Sequence, residues 1–401
     1  MPNLLRHFCS APCPGQAVMA SINARHMRTK ILRRPALLAV VFFLLVVWTA
    51  LSGIAGATVL RHYLAERWPA AERIFHSDPR WLGGDGATSV DLGDNRVLWL
   101  FGDSFLDLAG SGQRSSAALV RNTIAVQSGY DPTTAAMAFA WRMGADRPAA
   151  FFDAPGPTWY WPSSGIRLGR HLLVFLMEIR AAQNDLGFEA CGWKAAWIGN
   201  PGDEPNRWQV TWLISPQRQG LVVGAGNPLL SDGFLRVFAV DGRDRNVYLA
   251  RWPETAARSG TLTRPEWWTG ETTGWVADPA GRQSLAPVFA DGQMEFSVTC
   301  LPEPRQYVRV QTLSLMNPCL AVSTAGALTG PWSTAACFFT PPEQGDPQLL
   351  IYAGKSHPAL RGAAAVFSYV VNTTSAERLF SDMDLYFPMM LKSSVVDGPM
   401  P

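Results

Sequence analysis

The sequence predicts an all-β chain, a five-bladed β-propeller preceded by one N-terminal transmembrane helix. Three observations carry that expectation. After residue 80, short runs rich in β-branched and aromatic residues recur between Gly, Asp, Asn and Pro clusters, without helical periodicity. Five of those runs share one design, a polar start leading into a strand, a tight turn and a strongly apolar second strand. They are D-G-A-T-S-V-D-L-G-D-N-R-V-L-W-L-F, S-S-G-I-R-L-G-R-H-L-L-V-F-L, S-D-G-F-L-R-V-F-A-V-D-G-R-D-R-N-V-Y-L-A, S-V-T-C-L-P-E-P-R-Q-Y-V-R-V-Q-T and P-P-E-Q-G-D-P-Q-L-L-I-Y-A-G-K-S-H. Finally, no charged residue stands between Pro35 and Leu60, and the core A-L-L-A-V-V-F-F-L-L-V-V-W-T-A-L is long enough to cross a bilayer as a helix.

Taken in order, residues 1–34 form a basic tail containing Arg6, Arg25, Arg28, Lys30, Arg33 and Arg34 and no acid. The positive-inside rule therefore places the N-terminus in the cytoplasm and the bulk of the chain outside the membrane. Residues 35–60 read as an uncleaved signal anchor. Ala55-Gly56-Ala57 resembles a processing site, but the apolar stretch exceeds the roughly 7 to 15 residues of a signal peptide. Met27 is an alternative start that keeps the same span. Residues 61–78 read as an amphipathic juxtamembrane spacer, and 79–401 as the extracytoplasmic propeller.

The six tail charges take the overall +2 down to −4 for the remainder, which argues against a nucleic-acid partner. A composition with 16 Trp and 20 Phe suits many short strands or a sugar-stacking surface. Outside the membrane Cys191, Cys300, Cys319 and Cys337 could form two disulfides, with three pairings open. There is no C-x-x-C, so neither metal nor cofactor is expected.

The strand R-V-L-W-L-F runs into Gly102-Asp103-Ser104, which poses a choice between two enzymes. A symmetric hairpin turning at Leu92–Asn95 sets Asp85 opposite Asp103. Directly opposed residues have β-carbons about 4.5 to 5.5 Å apart. Like charges that close split their titrations and yield a general acid and a base or nucleophile, the chemistry of glycosidases. Alone, either aspartate would read as a turn residue beside glycine. The rival is a serine esterase acting through Ser104, which requires an oxyanion-binding Gly-x-Asn-Asp and an Asp-x-x-His. The nearest approximations are Ala182–Asp185, without the glycine, and His357, with Gly354 in place of the aspartate.

The stretch W-L-G-G-D-G-A-T-S-V-D-L-G-D-N-R-V-L-W-L-F-G-D-S-F resembles the opening blade of domain-of-unknown-function family 4185, which overlaps glycoside hydrolase family 183. Y-W-P-S-S-G-I-R-L-G-R-H-L-L-V-F, S-D-G-F-L-R-V-F-A-V, L-T-G-P-W-S and Y-A-G-K-S-H-P extend the resemblance over roughly residues 79 to 375. It implies a five-bladed propeller that cleaves D-arabinofuranosyl linkages of envelope polysaccharide internally, with paired axial aspartates that fall on Asp85 and Asp103. A carbohydrate-binding propeller without turnover is the alternative from another class.

Further candidates surround the pair. Glu178 follows L-L-V-F-L-M where Asp103 follows L-W-L-F-G, and reads either as a third axial carboxylate or as a strand-end partner of Arg180. Asp232 opens the third unit as Asp85 opens the first, or simply makes a turn; Ser163 and Ser164 hold that position in the second unit. Arg121 and Asn122 could bond sugar hydroxyls or cap a strand, and one of Trp159, Tyr160 and Trp161, with Trp161 favoured, could stack on a furanose. Lys355 and His357, in G-K-S-H-P, are candidate substrate-binding residues without evident partners.

Overall fold

The computed structural model describes residues 61–397 except 185, 219, 304 and 315–317. The expected membrane span at 35–60 lies outside them; among the described residues no helix is long and apolar enough to cross a membrane.

The fold is all-β. Among the described residues five large antiparallel sheets follow one another in sequence, beside one small three-stranded and one two-stranded sheet. In the first, Thr88–Gly93, Arg96–Phe101, Thr123–Ser128 and Ala136–Ala140 lie side by side in chain order. The second runs Trp159–Leu168, His171–Ala181, Phe188–Ile198 and Val210–Leu213, and the fourth Ser297–Pro302, Arg305–Leu313, Cys319–Ala325 and Ala336–Phe339. The third is built on Phe234–Asp241 and Val247–Pro253. One edge of it is two short pieces, Leu221–Val223 and Leu229–Ser231, both paired with Phe234–Asp241.

The fifth sheet joins the chain's two described ends. Its order is Arg61–Arg67, Pro388–Asp397, Ala365–Thr373 and Leu349–Ser356. Residues 61–78 are therefore no spacer. Arg61–Arg67 adds a strand to this sheet, and Trp68, Ile74 and Phe75 after it are buried in the core. The mixed pattern that looked like a free amphipathic stretch is a sheet edge followed by a short turn of helix packed on the first sheet.

Local chemistry explains the strands. R-V-L-W-L-F is buried from Val97 to Phe101 on both faces, as a continuous apolar run requires. Its hairpin turns through Asp94 and Asn95, at φ +52° and +60°, the left-handed pair that Asp and Asn tolerate and that matches strand twist. Apolar clusters join each large sheet to the next. Leu98 and Leu100 meet Val174 and Leu176; Phe175 and Trp193 meet Val237 and Trp252; Phe238 meets Phe296; Val310 meets Ile351. Trp99 and Phe101 of the first sheet pack with Val366 and Met390 of the fifth. One disulfide, Cys319–Cys337, links neighbouring strands of the fourth sheet, while Cys191 and Cys300 are exposed and free.

Candidate active site

The first hairpin fixes the site. Its register pairs Thr88 with Leu100 and Ser89 with Trp99, which continued past the strand ends sets Asp85 opposite Asp103. Backbone bonds carry the pairing that far: Gly102 N–H donates to Asp85 C=O (2.9 Å) and Asp85 N–H to Asp103 C=O (3.4 Å). Glycine at 102 is a requirement of the close approach, because a β-carbon there would collide with Asp85 Oδ1.

The two carboxylates, both partly buried, differ in their partners. Asp103 accepts from Arg121 Nη1 at 3.0 Å and from Trp161 Nε1 at 2.8 Å. The guanidinium is itself stacked on Trp159, 4.3 Å from the ring centre. Burial raises the Asp103 carboxyl above the usual range, and Trp161 and Arg121 oppose that rise. Asp85 accepts from the Tyr352 hydroxyl at 2.8 Å and has no cation in contact. Burial first, then the charges of Asp103 and Glu295, push its carboxyl up to about 7, against the Tyr352 hydrogen bond and the more distant charge of Lys355. Tyr352, held by Asn372 Nδ2 at 3.2 Å, is driven well above its ordinary range by burial and by Asp85, so it stays a hydroxyl donor.

Trp161 stands beside this pair, its ring 3.6 Å from where a β-carbon on Gly102 would lie. Tyr160 is buried, and the buried indole N–H of Trp159 has no hydrogen-bond partner. Glu178 is not drawn into the pair: it faces Tyr160 across the hairpin and accepts from Thr158 Oγ1 at 3.1 Å, while Arg180 pairs with Glu189 instead. Asn122 is fully buried and saturated by the backbone of Phe152 and Tyr160, which ties the first sheet to the second.

Asp232 is elsewhere. It occupies the turn between Leu229–Ser231 and Phe234–Asp241, the counterpart of Asp94 rather than of Asp85, and is held by Arg236 (2.7 Å) and Arg305 (3.3 Å). The third unit was read one strand late, because its edge strand is split at Gly224–Pro228.

Lys355 is buried and spends its three donors on Gly86 C=O, Glu295 (3.0 Å) and Ala353 C=O (3.3 Å), leaving none for a ligand. His357 is buried between Ser89 (2.8 Å) and Ser368 (2.7 Å), and burial lowers its imidazole to about 3, so it is neutral at working pH. Ser104 is wholly buried, bonded to Gly102 C=O and Thr123, with no histidine among its partners. That removes the serine-esterase chemistry.

Sequence reasoning missed Glu295 and Tyr352. Glu295 precedes the fourth unit much as Asp85 precedes the first, a signal lost by starting that unit at Ser297. Tyr352 carried none, since its direction depends on a bulge in its strand.

The family model described as "Domain of unknown function (DUF5005)" matches residues 71–394. The chain belongs to the DUF5005 family. The motifs had suggested family 4185, and this match is to a different domain family. No curated protein matches the sequence. Among solved structures, a candidate hydrolase from Bacteroides ovatus superposes with a TM-score of 0.66 at 16% identity, covering 84% of this DUF5005 chain and 93% of that one, so the two share a fold. An exo-β-1,3-galactanase from Phanerochaete chrysosporium gives 0.45 at 10% identity, covering 79% of this chain and 60% of that one. An α-L-arabinofuranosidase catalytic domain from Coprinopsis cinerea gives 0.42 at 12%, covering 79% and 93%.

Proposed function

We propose that this DUF5005 protein is a glycoside hydrolase in which Asp85 is the general acid and Asp103 the base or nucleophile. The observation that carries the reading is the unequal pair. Asp103 faces two donors that favour its ionised form, whereas Asp85 faces a hydroxyl and other carboxylates and holds its proton to about 7. Asp85 would protonate the departing glycosidic oxygen. Asp103 would attack the anomeric carbon or activate a water; carboxyls about 5 to 5.5 Å apart favour retention and about 6.5 to 9.5 Å inversion. Trp161 and the Arg121–Trp159 stack would seat sugar rings beside the acids.

The substrate class we infer is an arabinofuranosyl polysaccharide of the cell envelope, on the resemblance of the W-L-G-G-D-G and F-G-D-S motifs. The five large sheets are taken as propeller blades, an arrangement supported by the apolar clusters between successive sheets and by the packing of the fifth on the first. The uncharged segment 35–60, behind its basic tail, is proposed as the anchor that holds this domain outside the membrane.

The test is product release. The purified full chain is incubated with arabinogalactan beside its Asp85→Asn, Asp103→Asn and Ser104→Ala forms, and soluble oligosaccharides are measured. Products from the wild type and Ser104→Ala but from neither aspartate variant support the reading. Binding without products from the wild type would assign the protein to carbohydrate recognition instead.

A further inference from the structure

Resting on that acid–base reading, a second ion pair lies behind Asp85 with no other evident task. Glu295 comes from the segment before the fourth sheet and Lys355 from Leu349–Ser356, an edge strand of the fifth, so neither is near Asp85 in sequence. Their atoms are 3.0 Å apart, Lys355 is 2% exposed, and its ammonium also grips the carbonyl of Gly86, the residue after Asp85. Lys355 faces inward because its strand bulges between Tyr352 and Lys355, with Ala353 at φ +59°. A β-carbon at Gly354 in that bulge would meet Thr312 Oγ1 at 2.6 Å, so the bulge is wedged against the fourth sheet. A buried lysine costs free energy unless paired, and an aliphatic residue would fill the space more cheaply.

Among the described residues, the titratable groups that act on Asp85 come from separate parts of the fold. Asp103 faces it from its own hairpin, Glu295 from the segment before the fourth sheet, Tyr352 and Lys355 from the fifth sheet, and Tyr386 from the segment before the last strand. Arg121 reaches it only through Asp103. Among the described residues this makes three carboxylates and two cations, each cation already bonded to a carboxylate other than Asp85. The cluster is neutral when it holds one proton.

We propose that Glu295 and Lys355 are positioning residues that act as a matched charge pair: Lys355 fixes the backbone of the acid, and Glu295 cancels the ammonium so that the cluster's one proton resides on Asp85. An ammonium left alone at that place would strip the proton. A glutamate left alone would put an unbalanced negative charge beside Asp85.

The experiment reads Asp85 without substrate. Protein labelled with 13C at the aspartate carboxyls is titrated by NMR, the Asp85 resonance being assigned by its absence in Asp85→Asn. Glu295→Gln keeps shape and the hydrogen bond from Lys355, and is expected to move the Asp85 midpoint down by about one pH unit. Lys355→Met is expected to move it up, and the Glu295→Gln/Lys355→Met double variant to restore it to within about 0.3 unit, the non-additivity of coupled sites. Should Lys355→Met fail to fold, the Glu295→Gln and double-variant arms decide alone. An unmoved midpoint in Glu295→Gln, or a double variant as displaced as Glu295→Gln, overturns the proposal. Where hydrolysis is measured, the alkaline limb of the rate should follow the same midpoints, a shift that a merely structural pair would not produce. Absence of hydrolysis in every variant would count against the acid–base reading alone, since the resonance reports the charge pair with no substrate present.

Discussion

Asp85-Gly86 and Asp232-Gly233 are the same dipeptide in similar sequence surroundings, and the fold gives them opposite characters. Asp85 lies at the open end of its hairpin, faced by two carboxylates, with its carboxyl raised to about 7. Asp232 lies in a tight turn, 55% exposed, where Arg236 and Arg305 hold its carboxyl below the usual range. The difference is one of strand order. Asp85 precedes the first strand of its sheet and meets residues of the fifth sheet and of the segment before the fourth, whereas Asp232 precedes Phe234–Asp241 and sits in the turn that joins it to Leu229–Ser231.

The comparison can be broken most severely by removing each carboxylate in turn. Asp85→Asn is expected to cut kcat/KM on polysaccharide by about 10²- to 10⁴-fold, the range for a general acid, while Asp232→Asn stays within about twofold. Comparable losses at both positions would erase the distinction.

Stability sharpens the contrast with the opposite sign. Because the folded protein holds the Asp85 proton more tightly than the unfolded chain, the full contribution of that site is present below about pH 4 and is lost as pH rises to about 7. Asp85→Asn should therefore match wild type in Tm at pH 4 and exceed it by a few degrees above pH 7, a gain of at most about 4 kcal/mol. Asp232 has a lowered carboxyl, so Asp232→Asn should lose a little stability above pH 4, within about 0.5 kcal/mol for exposed pairs. Thermal melts of both variants across pH 4 to 9 check the two signs together.

How much of this was legible follows from the range of each interaction. The facing of Asp85 and Asp103 could be counted from one hairpin, although its two-residue turn pairs Gly93 with Arg96 and only a one-residue register shift at Leu92 brings Asp85 into line with Asp103 rather than with Ser104. Trp161 and Arg121 were named as ligand contacts and are the donors to Asp103, Arg121 from just before the strand paired beside it in the first sheet and Trp161 from the second sheet, a contact that spacing does not encode. Glu295 and Tyr352 arrive from sheets more than 190 residues away. The burial of Lys355 depends on a bulge, and His357 reads as chemistry in sequence but is locked between two serines. The third unit slipped by one strand because a break in its edge hid the strand that came first.

The claim that Asp85 gives the proton and Asp103 does not is tested most directly by the leaving group. Rates of the two asparagine variants would be compared on arabinogalactan and on an aryl arabinofuranoside whose phenol departs without protonation. The account predicts that Asp85→Asn recovers to near the wild-type kcat/KM on the aryl glycoside, which reports cleavage of the glycosidic bond, while Asp103→Asn stays inactive on both. Recovery of Asp103→Asn with Asp85→Asn still inactive would reverse the roles and contradict it.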